Sequence, residues 1–359
     1  MLWDGHPVPD GFLFYSSQLQ REITALRREF QSTPYAWDPH ELRWPVEVAH
    51  RLGMKFYAWV TIYNEGAPAG AYREYGVPPV PLTYPWGTIQ EAEFPFESRF
   101  VHEHPEYQLV DRTGKRRHYG VLEWAYPEAR GYWVQEIQLI LDRYAVDGIH
   151  VSTRTEGPSP EHADQFGFNP PIVEEYRRRH GVDILREDFD VEQWRALRGE
   201  YLTRLLREIS GVVHARGKQL SLGTSQGDYI GFPLGNMKLE WRNWIEKKIV
   251  DRLNLGEHGW GWGPQGYGYL TDFATRRGLK PLDAAVREDY GPLCKQHGVK
   301  LLFLCSPRLG PRPISDACCT GRASPSAYSP PANWCDTASA LPEFDGTILQ
   351  VRPRVLADR

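Results

Sequence analysis

The sequence predicts an α/β chain closed as a (β/α)8, or TIM, barrel, and three observations predict it. Three helix-like runs each end in a glycine and a lysine ahead of an apolar run: Leu52-Gly53-Met54-Lys55, Arg216-Gly217-Lys218 and His297-Gly298-Val299-Lys300. Glycine just past a helix accepts the left-handed backbone that other residues resist, so each joint is a tight passage from helix to buried strand. Second, the longest insertions follow strands, as expected for loops on the C-terminal rim of a barrel. Third, no glycine-rich phosphate loop follows any strand, which favours the barrel over an open doubly wound sheet.

In chain order, the candidate strands are Phe12 to Ser16, Lys55 to Tyr63, Gly148 to Thr153, Gln219 to Ser225, Arg252 to Glu257, Lys300 to Ser306 and Gly346 to Val351. Met1 falls close to the first of them, so the barrel is expected to be incomplete at its N-terminus. Asp38-Pro39-His40-Glu41 marks a helix start, with Asp38 as cap, Pro39 at the first helical position and Glu41 reaching back to the cap. Pro45 is expected to kink or interrupt that helix. Pro127, Pro171 and Pro281 are similar openings. Trp133, Ile137, Ile140, Leu141 and Tyr144 keep three-and-four spacing, as do Trp194, Leu197, Tyr201, Leu205 and Ile209, and Trp241, Trp244, Ile245 and Ile249. Such stripes are the core faces of helices. The helix Glu192 to Arg216 is about 37 Å long at 1.5 Å per residue, and the strand after it about 23 Å. Its first turns, with Trp194 and Arg198, are therefore expected to overhang the rim. Residues 64 to 122 and 154 to 191 are the long rim insertions of a single barrel spanning 1–359, and the stretch within 307–342, rich in Pro, Ser, Ala and Cys, follows neither period.

Composition narrows the partners. The 359 residues are 41% apolar and 25% charged, with 13 Trp, 19 Tyr and 14 Phe, ample for a large core. Lys plus Arg number 42 against 46 Asp plus Glu, a net charge of -4 with no long basic run, so nucleic acid is not an expected partner. No run approaches the length of a membrane span, and Met1 to Asp10 show no secretory signal; a cytoplasmic location is the default expectation. The 5 cysteines fit neither a zinc site nor a disulfide framework. Nothing in the chain specifies an oligomeric state.

Tyr144-Ala145-Val146-Asp147-Gly148-Ile149-His150-Val151 resembles a strand of bacterial family-10-like glycoside hydrolases, the glycosyl hydrolase-like family 10 group. The likeness extends through Ala49 to Trp59, Trp194 to Leu202, Trp241 to Ile245 and Ile249-Val250-Asp251, and covers about residues 38 to 257 in the order the family shows. The resemblance implies a TIM barrel, an oligo- or polysaccharide substrate and no cofactor. Many members end this strand with an acid, in a pattern like D-G-I-H-x-D; here Ser152 holds that place, with Arg154 and Glu156 following.

Glycosidic bonds are usually cleaved by two carboxyl groups, one donating a proton to the leaving oxygen and the other acting as nucleophile or as base for water. The candidate pair is Glu257, closing the strand Arg252 to Gly256, and Glu156, just beyond the strand Gly148 to Thr153. Arg154, a permanent charge after an apolar strand, needs an acidic partner from protein or substrate. Asp164 either orients Arg154, binds sugar hydroxyls or caps its turn, and Arg198 flanks the site or forms a salt bridge from helix to loop. His258, Trp260 and Trp262 open a Gly-aromatic loop whose ring faces suit the C-H faces of sugars, and Trp59 and Tyr63 at another strand end invite the same reading. The alternatives are a carbohydrate-binding barrel without catalysis, motivated by Ser152, and a metal-dependent hydrolase built on His102-Glu103-His104, whose H-x-H spacing on a strand directs both imidazoles to one side. His150, within a strand, is expected to be a core residue or a support to the site.

Overall fold

In the computed structural model the described residues are 12–14, 42–68, 82–84, 87–89, 96–153, 155, 164–231, 234, 237–255, 280, 282–305 and 346–349. Their elements run β1 (Phe12–Phe14), α1 (Arg43–Arg51), β2 (Tyr57–Thr61), β3 (Leu82–Tyr84), β4 (Gly87–Ile89), β5 (Phe96–Ser98), α2 (Arg99–Glu103), β6 (Gln108–Val110), β7 (Arg117–Leu122), α3 (Pro127–Arg143) and β8 (Gly148–Ser152). Then follow α4 (Pro170–His180), α5 (Val191–His214), β9 (Gln219–Thr224), α6 (Trp241–Glu246), β10 (Arg252–Leu255), α7 (Leu282–Ala285), a single π turn (Val286–Tyr290), α8 (Gly291–His297), β11 (Lys300–Cys305) and β12 (Gly346–Leu349).

Six strands form one parallel sheet in the order β12-β11-β10-β9-β8-β2. Each new strand joins the same edge as the chain advances, with no reversal. A doubly wound sheet reverses its order; this winding in one sense is that of a TIM barrel. Register aligns Thr61, Ser152, Gly223, Asn254, Leu302 and Gly346 in one row across the sheet. The C-terminal ends of the strands therefore form a common rim.

Alternation along the strands sorts the two faces. Ala58, Val60, Ile149, Val151, Leu220, Leu222, Leu253 and Leu255 join the core that α3 and α5 fill with Trp133, Ile137, Leu205 and Ile209. The opposite face carries Tyr57, Trp59, His150, Gln219 and Ser221. Tyr57 donates to Gln219 Oε1 at 2.5 Å, and Gly148 is bare because a Cβ there would lie 2.2 Å from the Gln219 carbonyl and 2.5 Å from the Tyr57 ring.

The three glycine joints adopt the expected geometry, with φ of 69° at Gly53, 65° at Gly217 and 67° at Gly298. Two carry the same polar bracket. Asp147 accepts His50 Nε2 at 2.9 Å and the Phe56 amide at 2.7 Å; Asp251 accepts His214 Nε2 at 2.8 Å and the Leu220 amide at 2.7 Å. Each aspartate precedes one strand and ties down the start of its neighbour and the end of the helix before that neighbour. Burial raises the Asp147 carboxyl, but the Phe56 amide and His50 pull it further down, below its usual range.

Several expectations need correction. Phe12–Phe14 is not part of the parallel sheet; it pairs antiparallel with β5. Pro45 falls in the first turn of a helix that begins at Arg43, where an amide is not needed, so it opens α1 rather than kinking it. Asp38 lies outside the described residues, as do 307–342. The stretch 64–122 holds two antiparallel hairpins, β3 with β4 and β6 with β7. Among the described residues no helix is long and apolar enough to cross a membrane.

Candidate functional site

The rim row ends in polar side chains. Thr61, Ser152 and Asn254 are fully buried in it. One layer below, Trp59, His150 and Ser221 are register partners on the face away from the helices: His150 Nδ1 lies 2.8 Å from Ser221 Oγ, and its ring sits 4.5 Å from that of Trp59. Trp59 is half-buried there, while His150 is the supporting core residue that its place in a strand implies.

Above the rim, residues from separate loops meet. The 24 residues of α5 span about 36 Å, against about 20 Å for the six of β9, so its first turns stand clear of the sheet. Arg198, in those turns, is 3% exposed and faces Glu123, with Nε 3.9 Å from Oε2. Its guanidinium lies over the Trp194 ring at 4.8 Å and against the backbone of Gly167, where a Cβ would fall 2.4 Å from Nε and the φ of 113° suits glycine. Tyr63, two residues past β2, packs its ring 5.3 Å from Trp124. Glu123 follows β7 directly, and its Oε1 accepts the Ala125 amide at 3.1 Å.

Burial dominates the electrostatics. It pushes Glu123 above the carboxylate range, against the pull of Arg198 and of the Ala125 and Trp124 amides. It raises the Tyr63 phenol far above its ordinary value and lowers Arg198. A second buried carboxyl, Glu65, is pushed to about 8 by burial, with Ser98, Tyr132 and Trp133 opposing as hydrogen-bond partners and Glu136 adding to the rise.

Of the site residues expected from sequence, Tyr63 and Arg198 meet around Glu123. Asp164 lies close to them but is held by Arg195, which reaches Oδ1 at 3.0 Å through Nε and Oδ2 through its terminal nitrogen. Asp164 itself has a left-handed φ of 62°, a conformation aspartate tolerates. Arg154, Glu156, Glu257, His258, Trp260 and Trp262 lie outside the described residues. His102 and Glu103 belong to a helix, α2, not a strand, and the two imidazoles turn to different acids: His102 to Glu97 at 2.9 Å and His104 to Glu106 at 3.3 Å. Among the described residues no three His, Cys, Asp or Glu gather as a metal site.

Glu65 and Glu123 were not singled out from sequence. A signal exists for Glu123: it stands between the apolar Tyr119-Gly120-Val121-Leu122 and the helix opened by Pro127, the position of an acid at a strand end. For Glu65 the chain offers only proximity to Lys55 to Tyr63.

Among solved structures the chain is similar to the catalytic domain of a β-amylase from Paenibacillus polymyxa, at 8% identity and a TM-score of 0.49, over 89% of this chain and 82% of that one. It is also similar to α-L-fucosidase isoenzyme 2 from Paenibacillus thiaminolyticus, at 12% identity and a TM-score of 0.40, over 76% of this chain and 31% of that one. A β-galactosidase from Marinomonas ef1 matches at 11% identity and a TM-score of 0.41, over 83% of this chain and 48% of that one. The chain thus spans under a third of the fucosidase and about half of the galactosidase. No curated protein matches it by sequence. The family model for glycosyl hydrolase-like 10 matches residues 8–256, well over half the chain, and the chain belongs to that family.

Proposed function

We propose that the protein hydrolyses glycosidic bonds in an oligo- or polysaccharide, using Glu257 and Glu156 as its carboxyl pair at the C-terminal rim. The observation that carries this reading is the family match over 8–256, which includes the strands leading to both loops. Register supports the pairing. Ser152 and Asn254 share one row, separated only by β9. Two strand spacings amount to about 10 Å. Glu156 lies four residues beyond Ser152 and Glu257 three beyond Asn254. At about 3.3 Å of reach per residue, the loops can close that gap to the roughly 5 to 9.5 Å over which paired carboxyls act.

In this reading one glutamic acid protonates the leaving oxygen while the other attacks the anomeric carbon or takes a proton from water. Arg154, His258, Trp260, Trp262 and Trp59 hold the sugar, the rings by stacking on C-H faces, while Tyr63, buried against Trp124, supports the site from beneath rather than stacking on the substrate. Arg198 and Asp164 act from beneath: both are occupied by protein partners, Glu123 and Arg195, and fix the loops that hold the substrate. No cofactor takes part.

Glu257→Gln tests the assignment. Reducing ends released from a panel of oligosaccharides should fall by about 10²-fold or more, with far-ultraviolet circular dichroism and oligosaccharide binding unchanged. Turnover at the parent level would discard the pair. A second reading, a carbohydrate-binding barrel without catalysis, is favoured by one observation: Ser152, at the place where the resemblance implies an acid in many members, is fully buried and offers no carboxyl group to a substrate. Binding without release of reducing ends from any saccharide in the panel would select it. Loss of turnover on chelation would instead select a metal-dependent hydrolase.

A further inference from the structure

Three residues that line one small cavity above the rim each carry a buried polar atom: Tyr63 Oη, Glu123 Oε2 and Trp124 Nε1. None of the three has a well-aligned hydrogen-bond partner among the described residues, although the Trp124 indole lies near enough to the Tyr63 phenol to pull its pKa down against burial. Arg198 completes the polar lining, and Leu234 and Met237 form part of the apolar wall. Buried polar groups are nearly always paired, because an unmet donor or acceptor forfeits its bonds to water without replacement. Three such atoms on residues around one cavity therefore point to a shared partner.

The chemistry of the lining defines that partner. An indole N-H only donates, a carboxylate oxygen only accepts, and a phenol does either. Glu123 Oε2 and Arg198 Nε, 3.9 Å apart, are too distant for a direct hydrogen bond. A cation would face the Arg198 guanidinium, and an anion the Glu123 carboxylate. A neutral species that both donates and accepts satisfies every wall, and the space admits about one water molecule. We infer that the cavity is a binding site for one long-lived internal water, which accepts from Trp124, donates to Glu123 and exchanges a hydrogen bond with Tyr63.

The water is a joint as well as a partner. Its walls come from the segment after β2, from the end of β7, from α5 and from the segment after β9. Its bonds to Tyr63 on one side and to Glu123 and Trp124 on the other join the segment after β2 to the end of β7 through one oxygen.

A high-resolution crystal structure of the full chain, alone and soaked with an oligosaccharide, tests this. The expected result is one solvent peak within about 2.6 to 3.2 Å of all three atoms in both crystals. No peak, a direct bond between Tyr63 and Glu123, or replacement of the peak by a sugar hydroxyl would overturn the inference. In solution, oxygen-17 relaxation dispersion counts long-lived waters. The folded double variant Tyr63→Phe with Trp124→Phe keeps an aromatic ring at each position but removes both polar atoms, and should lose about one such water relative to the parent. An unchanged count would overturn the inference. If that variant does not fold, Tyr63→Phe alone is read in the crystal, where a peak with undiminished occupancy and no bond to Glu123 or Trp124 would do the same.

Discussion

Glu65 has no exposed surface, and the Tyr132 hydroxyl, 3.4 Å from its Oε2, is a long partner for a carboxyl group removed from water. Burial raises its pKa from an unfolded value near 4.5 to about 8, so at neutral pH the folded protein holds it protonated. For a group whose folded pKa is raised, the stabilisation is complete below the unfolded value and disappears as pH climbs through the folded one. At about 1.4 kcal/mol per unit, the shift represents a few kcal/mol at most. The parent should therefore lose stability between about pH 5 and pH 8. Glu65→Gln, which carries a neutral group of similar size at every pH, should show a flatter profile, read as the difference in urea midpoint at the two ends of the window. Glu123 and Glu136 are shifted in the same direction, so the comparison with the variant is what isolates Glu65. Equal slopes for parent and variant would mean that Glu65 is ionised in the folded state.

The helices and strands of the sheet were legible because their causes are local. Glycine after a helix, proline at its start and three-and-four spacing depend on near neighbours, and the parallel strands appear where their apolar runs lie. Phe12–Phe14 shows the limit: its residues specify an extended strand, but its antiparallel partner, Phe96–Ser98, lies more than eighty residues away and in no recognisable pattern. Glu123 and Arg198 escaped as a pair for a related reason, since nothing in a single chain distinguishes a buried carboxyl from a solvated one. Contacts between elements were equally invisible. Gly199, mid-helix in α5, lies under the Lys238 carbonyl, where a Cβ would be 1.9 Å from the oxygen, and the Lys238 amide donates to the Arg195 carbonyl at 3.1 Å. Alanine is favoured over glycine in a helix by about 1 kcal/mol, but such an overlap with backbone forces α5 and the segment after β9 apart, at a typical cost of about 1 to 3 kcal/mol. Gly199→Ala is expected to destabilise on balance. A raised urea midpoint would show that the segment yields without loss.

Across the whole molecule, Glu123 and Arg198 tie the barrel-mouth segments together at a point where burial works against both charges. Removing one partner is costlier than removing two. Arg198→Met leaves Glu123 buried without its counter-charge, a change expected to cost about 3 to 5 kcal/mol, whereas an apolar replacement of a buried pair can be close to neutral. Glu123→Leu combined with Arg198→Met should therefore recover much of the loss, and the coupling appears in a double-mutant cycle of unfolding free energies. Stability and turnover need not return together. If the pair serves only to fill space, a recovered midpoint brings back the release of reducing ends. If it fixes the loops over the sugar, as proposed, the double variant regains stability while turnover stays low, because the introduced leucine and methionine side chains restore packing but not the polar link between segments. Full recovery of both would remove Arg198 from the site and leave it a structural residue.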